Sequence, residues 1–345
     1  MAKTRRSTLV AGPGRVATWR AIGSTVRGAS HIRADMPNQD AITWLPASGA
    51  GQRMILAVSD GHGSAKSFRS HLGSTRAVEA AAWVLQDLLD GQPDPTNFSA
   101  IKRTAEEHLP REILREWVTA VEQHLQETPF TRQELALLAE KNNPSAVQLV
   151  EANPLLAYGA TVLVVLATEQ FILYLQLGDG DILTVSESGE VQRPLPEDSR
   201  LFANQTTSLC VPNAWRDFRV RLQPVLDVPP ALIILATDGY ANSFANEEDF
   251  VKVASDTWEI MRAEGLEAVN ENLEGWLTEA TQAGSGDDIT LGLLCREAAL
   301  PSAEERALLK QLLTAAEAAQ QAETPPGLWI DNPGLPESPA PTDED

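Results

Sequence analysis

The sequence predicts an α+β fold in which antiparallel sheets are layered with helices, and three observations lead to it. Short aliphatic and β-branched runs of strand length cluster near the start of the chain and again in its second half. Two long segments with helical spacing lie consecutively between those clusters, which argues against alternating βαβ units. Three strand-like runs stop at Asp-Gly: Met54 to Ser59 ahead of Asp60-Gly61, Leu173 to Gly178 ahead of Asp179-Gly180, and Leu232 to Thr237 ahead of Asp238-Gly239. A fourth acidic turn, Gly284-Ser285-Gly286-Asp287-Asp288, precedes the apolar run Ile289 to Leu294. Carboxylates at strand ends sit where a rigid sheet meets water. Several such ends brought together form an oxygen-rich pocket suited to a hard divalent cation.

Taken in order, residues 1–17 read as a flexible lead-in containing Gly12-Pro13-Gly14, and residues 18–297 as the folded domain. Trp19 to Ser24, Asp40 to Trp44 and Met54 to Ser59 read as strands. Lys66 to Leu89 carries Phe68, Leu72, Ala77, Ala80, Val84 and Leu88 at helical spacing. Phe98 to Gln126 is a second long helix with Pro110 as a break in it. Residues 127–153 read as an insertion or a lid, with a short helix at Thr131 to Lys141 and breakers at Asn142-Asn143-Pro144 and Asn153-Pro154. Strands return at Thr161 to Leu166, Phe171 to Leu177, Ile182 to Ser186, Phe218 to Leu222 and Leu232 to Ala236. Helices follow at Glu247 to Ala254 and Thr257 to Ala283, and Ile289 to Cys295 closes the core. Residues 298–322 read as an amphipathic helix, and 323–345 as a disordered acidic Pro-rich tail with a Gly327-Leu328-Trp329-Ile330 island suited to docking.

Charge and cysteine usage narrow the function. The 345 residues carry a formal net charge of −21 with 43% hydrophobic content. So negative a surface repels nucleic acid and anionic lipid, and it also requires that any phosphate site gain its attraction locally. Cys210 and Cys295 are too few and too far apart for a disulfide framework or a zinc site. No stretch approaches the roughly 18 apolar residues of a membrane span. The basic Met1 to Arg6 lacks the apolar segment of a secretory signal, so the expected setting is cytoplasmic.

A single Asp-Gly is an ordinary turn, so the argument rests on the whole set. Five segments stand in order: Gly28-Ala29-Ser30-His31 leading to Pro37-Asn38-Gln39-Asp40-Ala41; Val58-Ser59-Asp60-Gly61-His62-Gly63; Tyr158-Gly159-Ala160-Thr161 followed by Leu177-Gly178-Asp179-Gly180-Asp181; Leu235-Ala236-Thr237-Asp238-Gly239; and Gly286-Asp287-Asp288-Ile289-Thr290. From about Ile22 to Cys295 the chain resembles the metal-dependent serine/threonine protein phosphatases of the 2C type. The spacing of the first segment looks like a bacterial branch of that family.

The resemblance implies two antiparallel sheets packed face to face as a central sandwich flanked by α-helices, in four αββα layers. It implies two Mg²⁺ or Mn²⁺ ions, or three, with Asp60 bridging and the Gly61 carbonyl assisting one ion. Asp238 and Asp287 would hold the other, and Asp40 would sit at or next to the cluster through water. Water held between the cations would lose a proton near neutral pH and attack phosphorus in line with the leaving serine or threonine oxygen. His62 would act as general acid, or else orient Asp60 by a hydrogen bond. The implied partners are phosphoprotein substrates, supplied by a cognate kinase system, for a monomeric enzyme.

The chain departs from the family at two places. Many members carry a metal-binding Glu where Gln39 stands, and a phosphate-binding Arg where Asp35 stands. His31, Arg33 and Arg27 are the nearby groups that could bind phosphate instead. Asp179 is expected to support the site without ligating, while Asp288 either caps its turn or adds a ligand. Asn204 to Trp215 corresponds to a variable flap, within which Thr206-Thr207-Ser208 could meet substrate. Two rival readings are a pseudophosphatase that kept the fold as a regulatory binding module, and a di-metal hydrolase of small phosphoesters.

Overall fold

The computed structural model describes residues 18–91, 94–196, 207–308 and 311. The lead-in 1–17, the tail 323–345 with its Gly327 to Ile330 island, the part of the 298–322 helix beyond 311, and flap residues 204–206 lie outside those residues. The chain divides after Pro301. In the second unit the backbone is helical over residues 303–308. There the Ser302 N–H donates to Glu305 Oε2 at 2.7 Å and the Glu305 N–H donates to Ser302 Oγ at 3.2 Å, a reciprocal cap.

The first unit begins with β1 (Trp19–Val26), α1 (Ala29–Arg33), β2 (Ala41–Leu45), β3 (Ala50–Gly51) and β4 (Met54–Ser59). The helices α2 (Ser70–Gly91), α3 (Phe98–Glu107), α4 (Leu109–Glu127), α5 (Arg132–Lys141) and α6 (Pro144–Ala152) follow. Then come β5 (Val162–Ala167), β6 (Phe171–Leu177), β7 (Asp181–Val185), β8 (Val191–Gln192), β9 (Arg219–Pro224) and β10 (Leu232–Ala236). The unit ends with α7 (Asp238–Ala241), α8 (Glu247–Glu264), α9 (Leu266–Ala283) and β11 (Ile289–Arg296).

The strands form two antiparallel sheets, ordered β3-β1-β11-β10-β7-β8 and β2-β4-β5-β6-β9. Trp19, Met54, Leu56, Val58, Leu163, Val165, Tyr174, Ile233 and Leu235 fill the space between them. The outer face of the five-stranded sheet is covered by α2 and α3, and α4 packs on them through Trp117, whose indole N–H donates to the Gly73 carbonyl of α2 at 3.0 Å. The outer face of the six-stranded sheet is covered by α8 and α9 through Trp258, Met261, Val269 and Leu277. The four-layer αββα expectation is met. It also explains why β4, β5, β6, β10 and β11 are buried at every residue. Each is covered on both faces, so its sequence is mainly apolar without polar alternation, with buried polar residues such as Gln176 and Thr290 near the strand ends. Each fully buried Leu, Ile or Val there contributes about 1.5–3 kcal/mol.

Three boundaries differ from the sequence expectation, each for a local reason. The break expected at Pro110 falls at His108, two residues ahead of it; Pro110 sits in the first turn of α4, where its missing N–H is one that no carbonyl awaits. The break between the last two helices falls at Gly265, whose φ of +103° favours glycine, and not after Ala254. The segment 127–153 is mostly helix. Thr131 closes a capping box with Glu134 to start α5, and Asn143 Oδ1 accepts the Ala146 N–H at 3.0 Å to start α6 with Pro144 in its first turn.

The registers place every acidic turn at the same end of the sandwich. Ala41 pairs with Ser59, Val162 with Leu177, Ala236 with Asp181, and Val26 with Ile289. Asp40, Asp60, Asp179, Asp238 and Asp287 each lie just beyond one of these paired ends, so both sheets deliver carboxylates to one rim.

Candidate metal centre

Asp60 leaves β4 with its backbone held on both sides. Its N–H donates to Thr161 Oγ1 at 3.0 Å, and its carbonyl accepts the Thr161 N–H at 2.8 Å. Its carboxyl group lies close enough to that of Asp238, contributed from the other sheet at the start of α7, for the two to act on each other's proton affinity. Burial pushes the Asp60 carboxyl well above its usual range, and Asp40, Asp238 and Asp179 add repulsion. Burial likewise raises Asp238, with Asp179 and Asp287 adding to it. Carboxylates gathered this closely favour protonation of one another, and a bound cation would relieve the same repulsion.

Asp40 is buried next to this pair. Its Oδ2 accepts Thr237 Oγ1–H at 2.8 Å, and Thr237 Oγ1 in turn accepts the Thr290 N–H at 2.9 Å. Burial is the main cause of its strongly raised pKa, opposed by the Thr237 bond and reinforced by Asp288 and Asp287. The Thr237 hydroxyl thus ties the start of β2 in one sheet to the ends of β10 and β11 in the other. Asp287 is the outermost of the set, with its side chain 52% exposed.

Gly61 is required by close approach. A Cβ there would lie 2.5 Å from the Gln39 carbonyl oxygen and 2.8 Å from that of Ser70, both rigid backbone. Gly239 similarly lets the Asp238 turn press on the Asp288 carbonyl, 2.2 Å from where its Cβ would stand. His62 donates its backbone N–H to the Gly159 carbonyl at 3.0 Å, and its ring packs on the Gly159 Cα. Burial lowers the His62 pKa, while the nearby Asp179 carboxylate works the other way.

The groups expected to meet phosphate are placed differently. His31 turns both ring nitrogens toward carboxylates, with Nδ1 at 2.8 Å from Asp288 Oδ2 and Nε2 at 3.6 Å from Asp287 Oδ1. Arg33 ends α1 exposed and makes no ion pair among the described residues. Arg27 donates to the His31 carbonyl at 3.2 Å and pairs with Asp35 at 3.6 Å. Asp288 is a latch for the turn. Its oxygens accept the N–H groups of Gly28 and Gln39, both at 2.6 Å, and it is 4% exposed. Asp181 is engaged by Arg193, whose Nε and Nη2 reach Oδ1 at 3.0 and 2.7 Å.

The residues fit a divalent cation of the hard class. The donors at the rim are carboxylate and amide oxygens, as Mg²⁺ or Mn²⁺ prefers. Gln39 is 4% exposed, and its Oε1 has no hydrogen-bond partner among the described residues. An orphaned buried acceptor is costly unless something fills it. Among the described residues the trio whose donor atoms all come within 4.8 Å of one another is His31, Asp287 and Asp288. Asp288 is already saturated by backbone donors. Asp60, Asp238 and Asp287 do not all bring donor atoms within that distance of one another. A cavity of about 480 Å³ lies elsewhere, along the sandwich edge between Thr184, Arg193, Arg221 and Gln223, and the acidic rim has no part in it.

Several of these participants stand in the quoted segments without a role having been read for them there. Gln39 was weighed in the sequence as a departure from a pattern and Asp288 as a cap or a ligand. The bonding tasks of the Thr161 and Thr237 hydroxyls were missed. The available signal was position: Thr237 directly precedes Asp238, and a polar residue between an apolar run and an acidic turn has a bonding task there.

The fold and the acidic rim together define a sandwich phosphohydrolase scaffold that gathers carboxylates from both sheets at one edge. A model of the protein phosphatase 2C family matches residues 27–278. The chain belongs to that family and is a metal-dependent serine/threonine protein phosphatase. No curated sequence matches it. Among solved structures, a bacterial serine phosphatase is 14% identical, covering 80% of this chain and 97% of that one with a TM-score of 0.49. The catalytic domain of the serine/threonine protein phosphatase PstP, in complex with two manganese ions, is also 14% identical, covering 81% and 98% at 0.48. The serine/threonine phosphatase Stp1 from Staphylococcus aureus is 13% identical, covering 86% and 100% at 0.49. These likenesses are too distant to assign roles to residues. Among the described residues no helix is long and apolar enough to cross a membrane.

Proposed function

We propose that the chain hydrolyses phosphoserine and phosphothreonine on proteins at a binuclear Mg²⁺ or Mn²⁺ centre. Asp60 would be shared by the two ions, Gly61 and Gln39 would help hold one, Asp238 and Asp287 the other, and Asp40 would adjoin through water. The observation that carries this reading is the convergence of Asp40, Asp60, Asp238 and Asp287, on turns from both sheets, at one end of the sandwich. When bound there, the ions supply a water of lowered pKa and neutralise phosphate charge, which the acidic surface alone could not tolerate. Thr161 and Thr237 hold the backbone of Asp60 and the carboxyl of Asp40 at fixed positions.

His62 stands beside the Asp60-Gly61 turn and delivers a proton to the departing serine or threonine oxygen. His31 keeps the Asp287-Asp288 turn in place, and Arg33 is the exposed cation left to draw phosphate toward the rim. The remainder of the proposal is a monomer in the cytoplasm, opposed by a Ser/Thr kinase. The two buried free thiols, Cys210 and Cys295, suit a reducing compartment.

The test is an assay of the purified chain on a phosphopeptide with Mn²⁺, repeated with Asp60→Asn and Asp238→Asn. Activity unchanged in both variants refutes the assignment. Substituting a nucleotide for the phosphopeptide tests the small-ester rival, and calorimetric Mn²⁺ titration tests the pseudophosphatase.

A further inference from the structure

We propose that Glu134, on the helix that opens the 127–153 segment, is a positioning residue for the turn Asp60-Gly61-His62, acting through the buried Arg69. The proposal rests on the reading of Asp60 and Gly61 as metal-binding residues.

Arg69 is 5% exposed, and all five of its guanidinium N–H groups are used. Nε and Nη2 reach the two Glu134 oxygens at 2.7 and 3.0 Å, a bidentate pair. Nη1 donates to the Thr128 carbonyl at 2.7 Å and to the Tyr158 hydroxyl at 2.8 Å, and Nη2 also reaches the Pro129 carbonyl at 3.1 Å. Its carbon lies 4.8 Å from the Phe130 ring centroid. Glu134 Oε2 also accepts the Thr131 N–H at 2.7 Å, so one carboxylate both starts α5 and grips the core arginine.

The backbone around Arg69 carries this grip to the site. The Arg69 N–H donates to the Ala157 carbonyl at 2.8 Å. A Cβ on Gly73 would lie 1.9 Å from the Tyr158 carbonyl oxygen, and one on Gly61 would lie 2.8 Å from that of Ser70. The start of α2 is therefore wedged against both Tyr158 and Gly61. Tyr158 leads into Gly159, whose carbonyl takes the His62 N–H, and Ala160 forms an isolated β-bridge with Gly61. Fixing Tyr158 by its hydroxyl on one flank and Ser70 on the other leaves residues 60–62 one position.

An ion pair with its arginine buried and its carboxylate 27% exposed is a modest source of net stability, because desolvation of the arginine offsets part of the attraction. Its directional geometry is what an apolar contact could not supply. The 127–153 segment is then a clasp on the metal-binding turn and not a lid over it.

The experiment compares Glu134→Gln with Leu138→Ala in the full chain, well below the melting temperature of each. Leu138 is buried on the same helix at 2% exposure, and its truncation removes packing without touching Arg69. Mn²⁺ affinity is read by calorimetry, and kcat and KM on a phosphopeptide are read separately. The expected result is a loss of about 10- to 100-fold in Mn²⁺ affinity or kcat for Glu134→Gln, with KM little changed and partial recovery in Glu134→Asp. Leu138→Ala lowers the melting temperature yet keeps both parameters. Wild-type affinity and kcat in Glu134→Gln, or an equal loss in Leu138→Ala, overturns the proposal. If Glu134→Gln does not fold, the double variant Arg69→Met/Glu134→Leu, which removes both charges together, carries the same expectation and the same refutation. If the wild-type chain itself binds no Mn²⁺, the metal reading falls and this proposal with it.

Discussion

The backbone N–H of Gln39 donates to Asp288 Oδ2 across 2.6 Å, joining residues 249 positions apart. With Gly28 on the other oxygen and His31 alongside, Asp288 is committed to holding two turns together, while its neighbour Asp287 faces out. Adjacent carboxylates therefore differ in role. Asp288→Asn turns an amide N–H₂ toward backbone donors and leaves a buried donor unpaired, at about 1–3 kcal/mol. The expected outcome is a lower melting temperature in EDTA with Mn²⁺ stoichiometry kept. Asp287→Asn does the reverse, keeping the EDTA melting temperature while binding Mn²⁺ more weakly. Differential scanning fluorimetry and calorimetry on both variants check this.

Stability should respond to pH in two opposite ways. Asp40, Asp60 and Asp238 have native pKa values raised by burial, so the metal-free fold holds protons that the unfolded chain has released. Their effect is a loss of stability as pH rises from the ordinary carboxylate range through those raised values. Glu134 is held down to about 2 through its bonds to Arg69 and Thr131, which outweigh the upward push of burial. Its contribution is present above its ordinary value of 4.5 and is lost as pH falls toward about 2. In EDTA the melting temperature should thus decline from mildly acidic pH toward pH 8. Saturating Mn²⁺ should remove that decline, with protons released on binding and seen as a buffer-dependent heat. A decline that persists with Mn²⁺ contradicts the placement of the cation at these carboxylates.

Gln39 offers a neutral oxygen where a carboxylate would bring charge, and Ca²⁺- and Mg²⁺-type sites gain affinity with ligand charge. Gln39→Glu should tighten Mn²⁺ binding by on the order of tenfold, equal to about 1.4 kcal/mol. Gln39→Leu should weaken one binding event without lowering the melting temperature in EDTA, since it deletes an acceptor that has no partner among the described residues. Titrating both variants beside the wild type measures the difference.

The layered fold could be read from the sequence because strands covered on both faces must be mainly apolar, and Met54–Ser59, Phe171–Leu177 and Leu232–Ala236 matched to the residue. The acidic rim was legible because Asp-Gly directly follows such runs. The Arg69–Glu134 pair was not, since its members lie 65 residues apart and the capping-box pattern that holds Glu134 gives no sign of Arg69. The carboxylate partner of His31 was not legible for a related reason. A histidine beside a glycine turn is suited equally to phosphate and to a carboxylate, and Asp288 lies 257 residues away. Pro110 and Asn143 read as breakers because the residues that stop one helix are also those that begin the next.

The role given to His62 depends on the leaving group, and this dependence separates proton donation from orientation of Asp60. A serine or threonine alkoxide is strongly basic and needs a proton as the P–O bond breaks, whereas an aryl phosphate releases a stable phenolate that needs none. His62→Gln should therefore lower kcat on a phosphoserine peptide by about 10²–10⁴-fold, while an aryl phosphate loses far less. Gly159→Ala perturbs the same ring without removing it, since the new Cβ would stand 2.5 Å from His62 Cδ2 and push the imidazole aside. It should reproduce the peptide-selective loss in milder form. If His62 only orients Asp60, both substrates fall together in His62→Gln and Mn²⁺ affinity falls with them. Steady-state kinetics on the two substrates, with a parallel Mn²⁺ titration, decide between the two roles.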